Sequence, residues 1–337
     1  MPDVNVLIAQ PFPDPLVDRL RAVSTLLRFH VHPARSAEEL PADLLPDAEI
    51  LYTMHALPQP EHVPNLRWIQ FHTAGVDRAA EHPLLRSGVV VTTLSGTAVP
   101  QMAEYVVAAM TSMARRVPGW MREKSEKHWP PDRFERFLPV ELRGSTLGIA
   151  GYGSVGREVA RLARGLGMKV LATKRDLKHL DDDGYRMDGL GDPSAQLADR
   201  LYPPQALRSM AGQCDFLVIT VPLTPETRGM VNQAVLEAMK PTAFLIDVSR
   251  GGVVDHGALV ESLRNEKLGG AVLDVFPVEP LPDSSPLWEL PNVLISPHVA
   301  GASAHYFERA ADLFAQNLRR YLADQPLLNR YDPVRGY

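Results

Sequence analysis

Short apolar runs alternate with helical patterns along the first third of the chain. The runs are VNVLIA (4–9), LLRFHV (26–31), ILYT (50–53), RWIQFH (67–72) and VVVTTL (89–94). Between the first two, DPLVDRLRAV places its apolar residues at helical spacing. Such alternation predicts a parallel sheet covered by helices, and five strands make a small doubly wound domain. A stripe of Met102, Val106, Ala109, Met110, Met113 and Val117 then predicts one long helix from Val99 to about Val117. The next stretch, PGWMREKSEKHWPPDRF, mixes aromatic, basic and proline residues. It reads equally as an arm lying on a second subunit or as a solvated connector.

A second alternating set follows: STLGIA (145–150), KVLAT (169–173), FLVIT (216–220), AFLID (243–247), GAVLDV (270–275) and NVLIS (292–296). Six strands with intervening helices is the count expected of a dinucleotide-binding sheet. The amphipathic AHYFERAADLFAQNLRRYLAD predicts a final helix that folds back on the first domain. One segment breaks the rhythm. Residues 176–203 are acidic, carry glycines and show no clean period, so they read as a surface insertion. The run of three aspartates there lacks the spacing of an EF-hand loop, and no metal site is read from it.

Composition narrows the partners. A chain of 337 residues suggests two domains. A net charge of -5 gives no sign of nucleic acid or an anionic membrane surface as partner. No apolar run reaches the roughly 18 residues of a membrane span. The N-terminal stretch reads as a first strand rather than a targeting segment. The single cysteine, Cys214, leads into an apolar run, which predicts a buried thiol and a reducing, cytoplasmic setting.

The chemistry begins at GYGSVG, Gly151 to Gly156. A strand precedes it and a helix follows, with Val155, Val159, Leu162 and Leu166 on one face. That context makes a dinucleotide fingerprint. Gly151 allows the tight turn, Gly153 lets the backbone approach a pyrophosphate, and Gly156 lets helix and strand pack closely. The helix N-terminus then offers free N–H groups and a positive partial charge. At the end of the next strand an acid would bond the ribose 2′-hydroxyl of NAD, but the sequence reads KVLATKRD. Lys174 and Arg175 suit the 2′-phosphate of NADP, so NADP is favoured; Asp176, directly after them, leaves NAD open.

Three later segments, 245–259, 269–282 and 286–303, together with FHTAGVD (71–77) and AEY (103–105), resemble the signatures of the D-isomer-specific 2-hydroxyacid dehydrogenases. That family includes glyoxylate/hydroxypyruvate reductases. The resemblance implies two doubly wound parallel-sheet domains: a Rossmann cofactor domain, residues 98–300, inserted into a smaller flavodoxin-like substrate domain, residues 1–97 plus 301–337. It implies Arg250, Glu279 and His298 as the catalytic set. Ala74 and Gly75, with Arg250 and His298, would hold the substrate. Ser154, Val155, Val221, Pro222, Thr227, Val248, Ser249, Asp274 and Gly301 would line the cofactor, as would Arg250 and His298. A homodimer through the helix at 99–117 and the arm after it is also implied. His55 sits where substrate-selective residues often lie, although a surface histidine is the simpler reading.

The residue types suit the reaction. Reducing a 2-oxo acid puts hydride on the keto carbon and a proton on its oxygen, and histidine titrates in the right range to give that proton. A carboxylate beside it orients the ring. An arginine fork meets the substrate carboxylate and polarises the carbonyl. Two other readings stay open at this point. A formate dehydrogenase needs no proton transfer and carries Gln where Glu279 stands, so Glu279 argues against it. A dinucleotide-sensing corepressor keeps the same fold and even the catalytic set.

Overall fold

The computed structural model describes residues 3–182, 184–333 and 335–336. The chain divides into two compact units. Unit 1 holds residues 1–98, 184–187 and 303–337; unit 2 holds 99–183 and 188–302.

Unit 1 begins with β1 (Val4–Ile8), α1 (Asp14–Arg21), β2 (Leu27–Val31), β3 (Ile50–Thr53), β4 (Trp68–Phe71) and β5 (Val90–Thr92). The strands pair in the order β2-β1-β3-β4-β5, all parallel. Every residue of β3 and β4 is buried, as expected for central parallel strands covered on both faces.

Unit 2 opens with α2 (Val99–Ala114), α3 (Val117–Ser125) and α4 (Arg133–Arg136). The long helix read from the sequence therefore ends at Ala114. Arg116 takes a left-handed conformation, φ 59°, and the stretch read as an arm or connector starts a new helix. The sheet follows as β6 (Thr146–Ala150), α5 (Ser154–Gly165), β7 (Lys169–Thr173), β8 (Arg200–Tyr202), α6 (Leu207–Ala211), β9 (Phe216–Ile219), α7 (Gln233–Ala238), β10 (Phe244–Asp247), α8 (His256–Arg264), β11 (Gly270–Leu273) and β12 (Val293–Ile295). The order is β12-β11-β10-β9-β6-β7-β8, again all parallel. The strand order reverses between β6 and β9, and ligands bind at the strand ends beside such a switch point. The last helix, α9 (Tyr306–Leu322), belongs to unit 1, where Leu313, Phe314 and Leu318 pack with Tyr52 and Trp68.

Further expectations change. The sheet of unit 2 has seven strands rather than six, because β8 emerges from the segment read as a surface insertion. That segment is also anchored. Arg157 and Glu158 on α5 are 1% and 2% exposed. Arg157 donates to the Leu180 and Asp192 carbonyls, and Glu158 accepts from the Gly191 amide at 2.6 Å. Asp192 accepts from the Tyr152 hydroxyl at 2.6 Å and from the amides of Gln196 and Leu197. Leu180, Gly191 and Asp192 of this segment thus bond the buried Arg157 and Glu158 of α5. Leu166, placed on the apolar stripe of α5 from sequence, is exposed. Val159, Ala160 and Ala163 of the helix share a core cluster with Ala103, Val106 and Met110 of α2.

Candidate active site

The glycine turn sits at the end of β6. Gly151 has φ +109°, a conformation that disfavours any side chain. Its amide donates to the Thr173 hydroxyl, and its carbonyl accepts from the Thr220 hydroxyl at 2.7 Å, so both flanking strands fix the turn. A Cβ on Gly156 would run into the Gly151 carbonyl. Gly153 caps α5, and a Cβ there would meet nothing within 4 Å. The turn is thus tight on the protein side and open at the helix N-terminus, where Ser154 and Val155 are half-buried. Those are the properties a pyrophosphate requires.

Lys174 is half-buried and Arg175 exposed just beyond β7. Asp176 turns to its own loop, accepting from the Lys178 amide at 2.9 Å and meeting His179 Nδ1 at 2.7 Å. Those bonds, the His179 one foremost, lower its carboxyl to about 2. Arg175 acts on Glu226, whose carboxyl is lowered chiefly by the Thr224 hydroxyl. Arg175 is therefore near the turn after β9. Within that turn Val221 is half-buried and Pro222 exposed, and the Thr227 hydroxyl donates to the Pro222 carbonyl at 2.6 Å.

The three residues expected to do chemistry come from three strand ends. Arg250 follows β10, Glu279 follows β11 and His298 follows β12. His298 Nδ1 stands 2.9 Å from Glu279 Oε2, and the other carboxylate oxygen accepts from the Phe276 amide at 3.1 Å. The histidine side chain is 43% exposed and the glutamate 25%. His298 has φ +54°, which a non-glycine residue adopts only under local constraint. The constraint is Asp274. Its carboxylate, 1% exposed, accepts from the Val299 and Ala300 amides at 2.8 Å each and from the Ser296 hydroxyl at 2.6 Å. Ser296 in turn meets the Tyr105 hydroxyl at 2.5 Å, and Gln101 donates to the Gly301 carbonyl. The turn that carries His298 is held from both sides.

Arg250 is half-buried, and its Nη1 donates to the Ser249 carbonyl at 2.8 Å. Val248 and Ser249 beside it are buried. Gly251 lies against the backbone of Phe276 and Pro277, with no room for a Cβ. That contact sets the Arg250 loop directly on the loop that bears Glu279.

In unit 1, Ala74 and Gly75 form the turn after β4. The Thr73 hydroxyl donates to the Gly75 carbonyl at 2.7 Å. The amides of Ala74 and Gly75 meet no acceptor among the described residues. His55 is exposed in the same unit, with its pKa lowered by partial burial and then by Arg78.

Residues 107–300 match the family model for the D-isomer specific 2-hydroxyacid dehydrogenase, NAD binding domain. The chain belongs to the D-isomer specific 2-hydroxyacid dehydrogenase family. A glyoxylate reductase of Korarchaeum cryptofilum is 35% identical over 77% of this chain and 74% of its own. A glycerate dehydrogenase of Methylorubrum extorquens is 31% identical over 79% of each. Among solved structures, a family member from Xanthobacter autotrophicus Py2 in complex with NADPH and MES superposes with a TM-score of 0.82. It is 29% identical and the match covers both chains fully. An NADPH-dependent glyoxylate/hydroxypyruvate reductase from Sinorhizobium meliloti gives a TM-score of 0.78 at 25% identity, over 99% of this chain and 100% of that one.

Several residues of this dehydrogenase site had no part in the sequence reading: Gly251, Asp247, Ser296, Gln101 and the hydroxyl of Tyr105. The glycine directly after Arg250 and the acid closing the apolar run FLID were the available signals. Ser296 and Tyr105 lie in segments that carry the resemblance, but their hydroxyl contact joins separate elements and is not readable there.

Proposed function

We propose that this dehydrogenase interconverts small 2-oxo acids, of the glyoxylate or hydroxypyruvate kind, with D-2-hydroxy acids, and that it prefers NADP to NAD. The carrying observation is the 2.9 Å pair of His298 Nδ1 and Glu279 Oε2 on a loop packed against that of Arg250. When bound, the nicotinamide supplies or accepts the hydride. Glu279 engages Nδ1 and leaves Nε2 as the nitrogen that gives a proton to the carbonyl oxygen in reduction and takes it back in oxidation. Arg250 offers a planar fork to the substrate carboxylate and balances charge developing on the reacting oxygen. The amides of Ala74 and Gly75 are further donors of the kind a carboxylate needs.

The cofactor role falls to Gly151, Gly153, Ser154, Val155 and Gly156 at the pyrophosphate, with Val221, Pro222, Thr227, Val248, Ser249 and Gly301 as lining. Asp274 keeps a lone pair for a carboxamide while holding the His298 turn. Lys174 and Arg175 take the 2′-phosphate, a reading supported by the commitment of Asp176 to its own loop. Unit 1 acts as the substrate domain and unit 2 as the cofactor domain. Among the described residues no helix is long and apolar enough to cross a membrane. The buried Cys214 thiol, raised to about 12 chiefly by burial, suits a cytoplasmic setting. A homodimer through α2, α3 and the segment after them would cover Trp120, Trp129, Phe134 and Leu138, which are 44–80% exposed.

A panel of 2-oxo acids assayed with NADPH and NADH in parallel tests the reading. Turnover of glyoxylate or hydroxypyruvate with NADPH is expected. Tight NADPH binding without turnover of any 2-oxo acid would instead indicate a sensor. Changing Lys174 and Arg175 together to Ala should weaken NADPH by about tenfold or more and NADH far less. Equal weakening would remove the phosphate assignment.

A further inference from the structure

Asp247 closes β10, three positions before Arg250, and is 0% exposed. Its Oδ1 accepts from the Ser249 amide at 2.9 Å and from the Ser249 hydroxyl at 2.6 Å. Its Oδ2 is buried and meets no donor among the described residues. The adjacent strand ends at a second buried carboxyl, Asp274, whose amide donates to the Asp247 carbonyl at 3.0 Å. The two differ sharply in surroundings. Asp274 has three donors on its oxygens, whereas Asp247 has one oxygen bare. A bare anionic oxygen in a dry interior is far costlier than a bare hydroxyl, and two neighbouring buried carboxyls do not both ionise readily.

We propose that Asp247 is a positioning residue for Arg250, acting through Ser249 and carrying its own proton as it does so. The link is short. Asp247 fixes both the amide and the hydroxyl of Ser249, and the Ser249 carbonyl holds Arg250 Nη1. Burial raises the Asp247 carboxyl to about 7; the Ser249 bonds oppose this, Asp274 adds to it and Arg250 subtracts. Asp274 on the neighbouring strand end and Arg250 on its own loop are thus the charged groups acting on it. The inference rests on Arg250 being the donor to the substrate carboxylate.

The test compares wild type with Asp247→Asn, Asp247→Ala and Arg250→Lys. Asn keeps an acceptor for Ser249 and resembles the neutral acid in shape. Asp247→Asn should keep KM for the 2-oxo acid within about twofold, while Asp247→Ala should raise it about tenfold. Unfolding followed from pH 4 to pH 8 reads the proton independently. The raised carboxyl favours the folded wild type at low pH, and that contribution is lost as pH rises through about 7. Asn carries no such dependence, so its melting temperature relative to wild type should climb over this range. A constant difference across pH, or a KM loss in Asp247→Asn as large as in Asp247→Ala, would overturn the proposal. An unchanged KM in Arg250→Lys would instead defeat the role given to Arg250, while the unfolding series still reports on Asp247.

Discussion

Two histidines stand at the carboxyl ends of parallel strands, and their surroundings are opposite. His72 follows β4 in unit 1 and is 5% exposed. Its Nδ1 lies 2.6 Å from the Tyr52 hydroxyl, and its ring packs among Phe12, Tyr306 and Phe307. Burial lowers its pKa to about 4, so it is a neutral packing element at ordinary pH. His298 follows β12 in unit 2, is open to solvent, and has a carboxylate rather than a hydroxyl on Nδ1. Placement at a strand end therefore does not decide a histidine's surroundings. A charged partner on Nδ1 and an accessible ring set His298 apart from His72.

The largest separation of the two should come from activity. His298→Ala should cut kcat by roughly 100- to 10,000-fold with NADPH affinity nearly unchanged, since it removes the proton donor. His72→Asn should keep kcat at pH 7 within about threefold. Comparable losses in the two variants would break the comparison. Next in size, Glu279→Gln should cost about ten- to a hundredfold in kcat, because it disturbs the ring without removing the proton carrier. A smaller effect concerns stability. The depressed pKa of His72 favours the fold above pH 6.5, and that contribution is lost as pH falls toward about 4, up to about 3 kcal/mol. His72→Asn should lose this part of the acid sensitivity, measured by denaturant unfolding between pH 7 and pH 4. Smallest of all, Tyr52→Phe should destabilise by about 1–3 kcal/mol at pH 7, the cost of leaving buried Nδ1 unpaired, with turnover retained.

Most of the fold is legible in the sequence because strands buried on both faces read as unbroken apolar runs. The exception, β8, is only RLY, too short and too polar for a pattern. Burial of Arg157 and Glu158 was equally hidden, since the backbone groups they bond lie more than 20 residues away. At the site, Arg250, Glu279 and His298 stand in recognisable segments. The groups that hold them stand in the same segments, but their holding role is not readable there. Asp274 reaches the His298 turn, and Gly251 admits the Glu279 loop, only because strands distant in sequence are neighbours in the sheet. Buried Asp247 is the same case: its surroundings are set by the fold and not by the residues beside it.

The central claim is that His298, held by Glu279, moves the proton. Chemical rescue tests it most directly: turnover of glyoxylate by His298→Ala with NADPH, measured with and without added imidazole. The account predicts a severe loss that imidazole partly restores, rising with the imidazolium fraction as pH falls. Near-native turnover of His298→Ala without imidazole would contradict it.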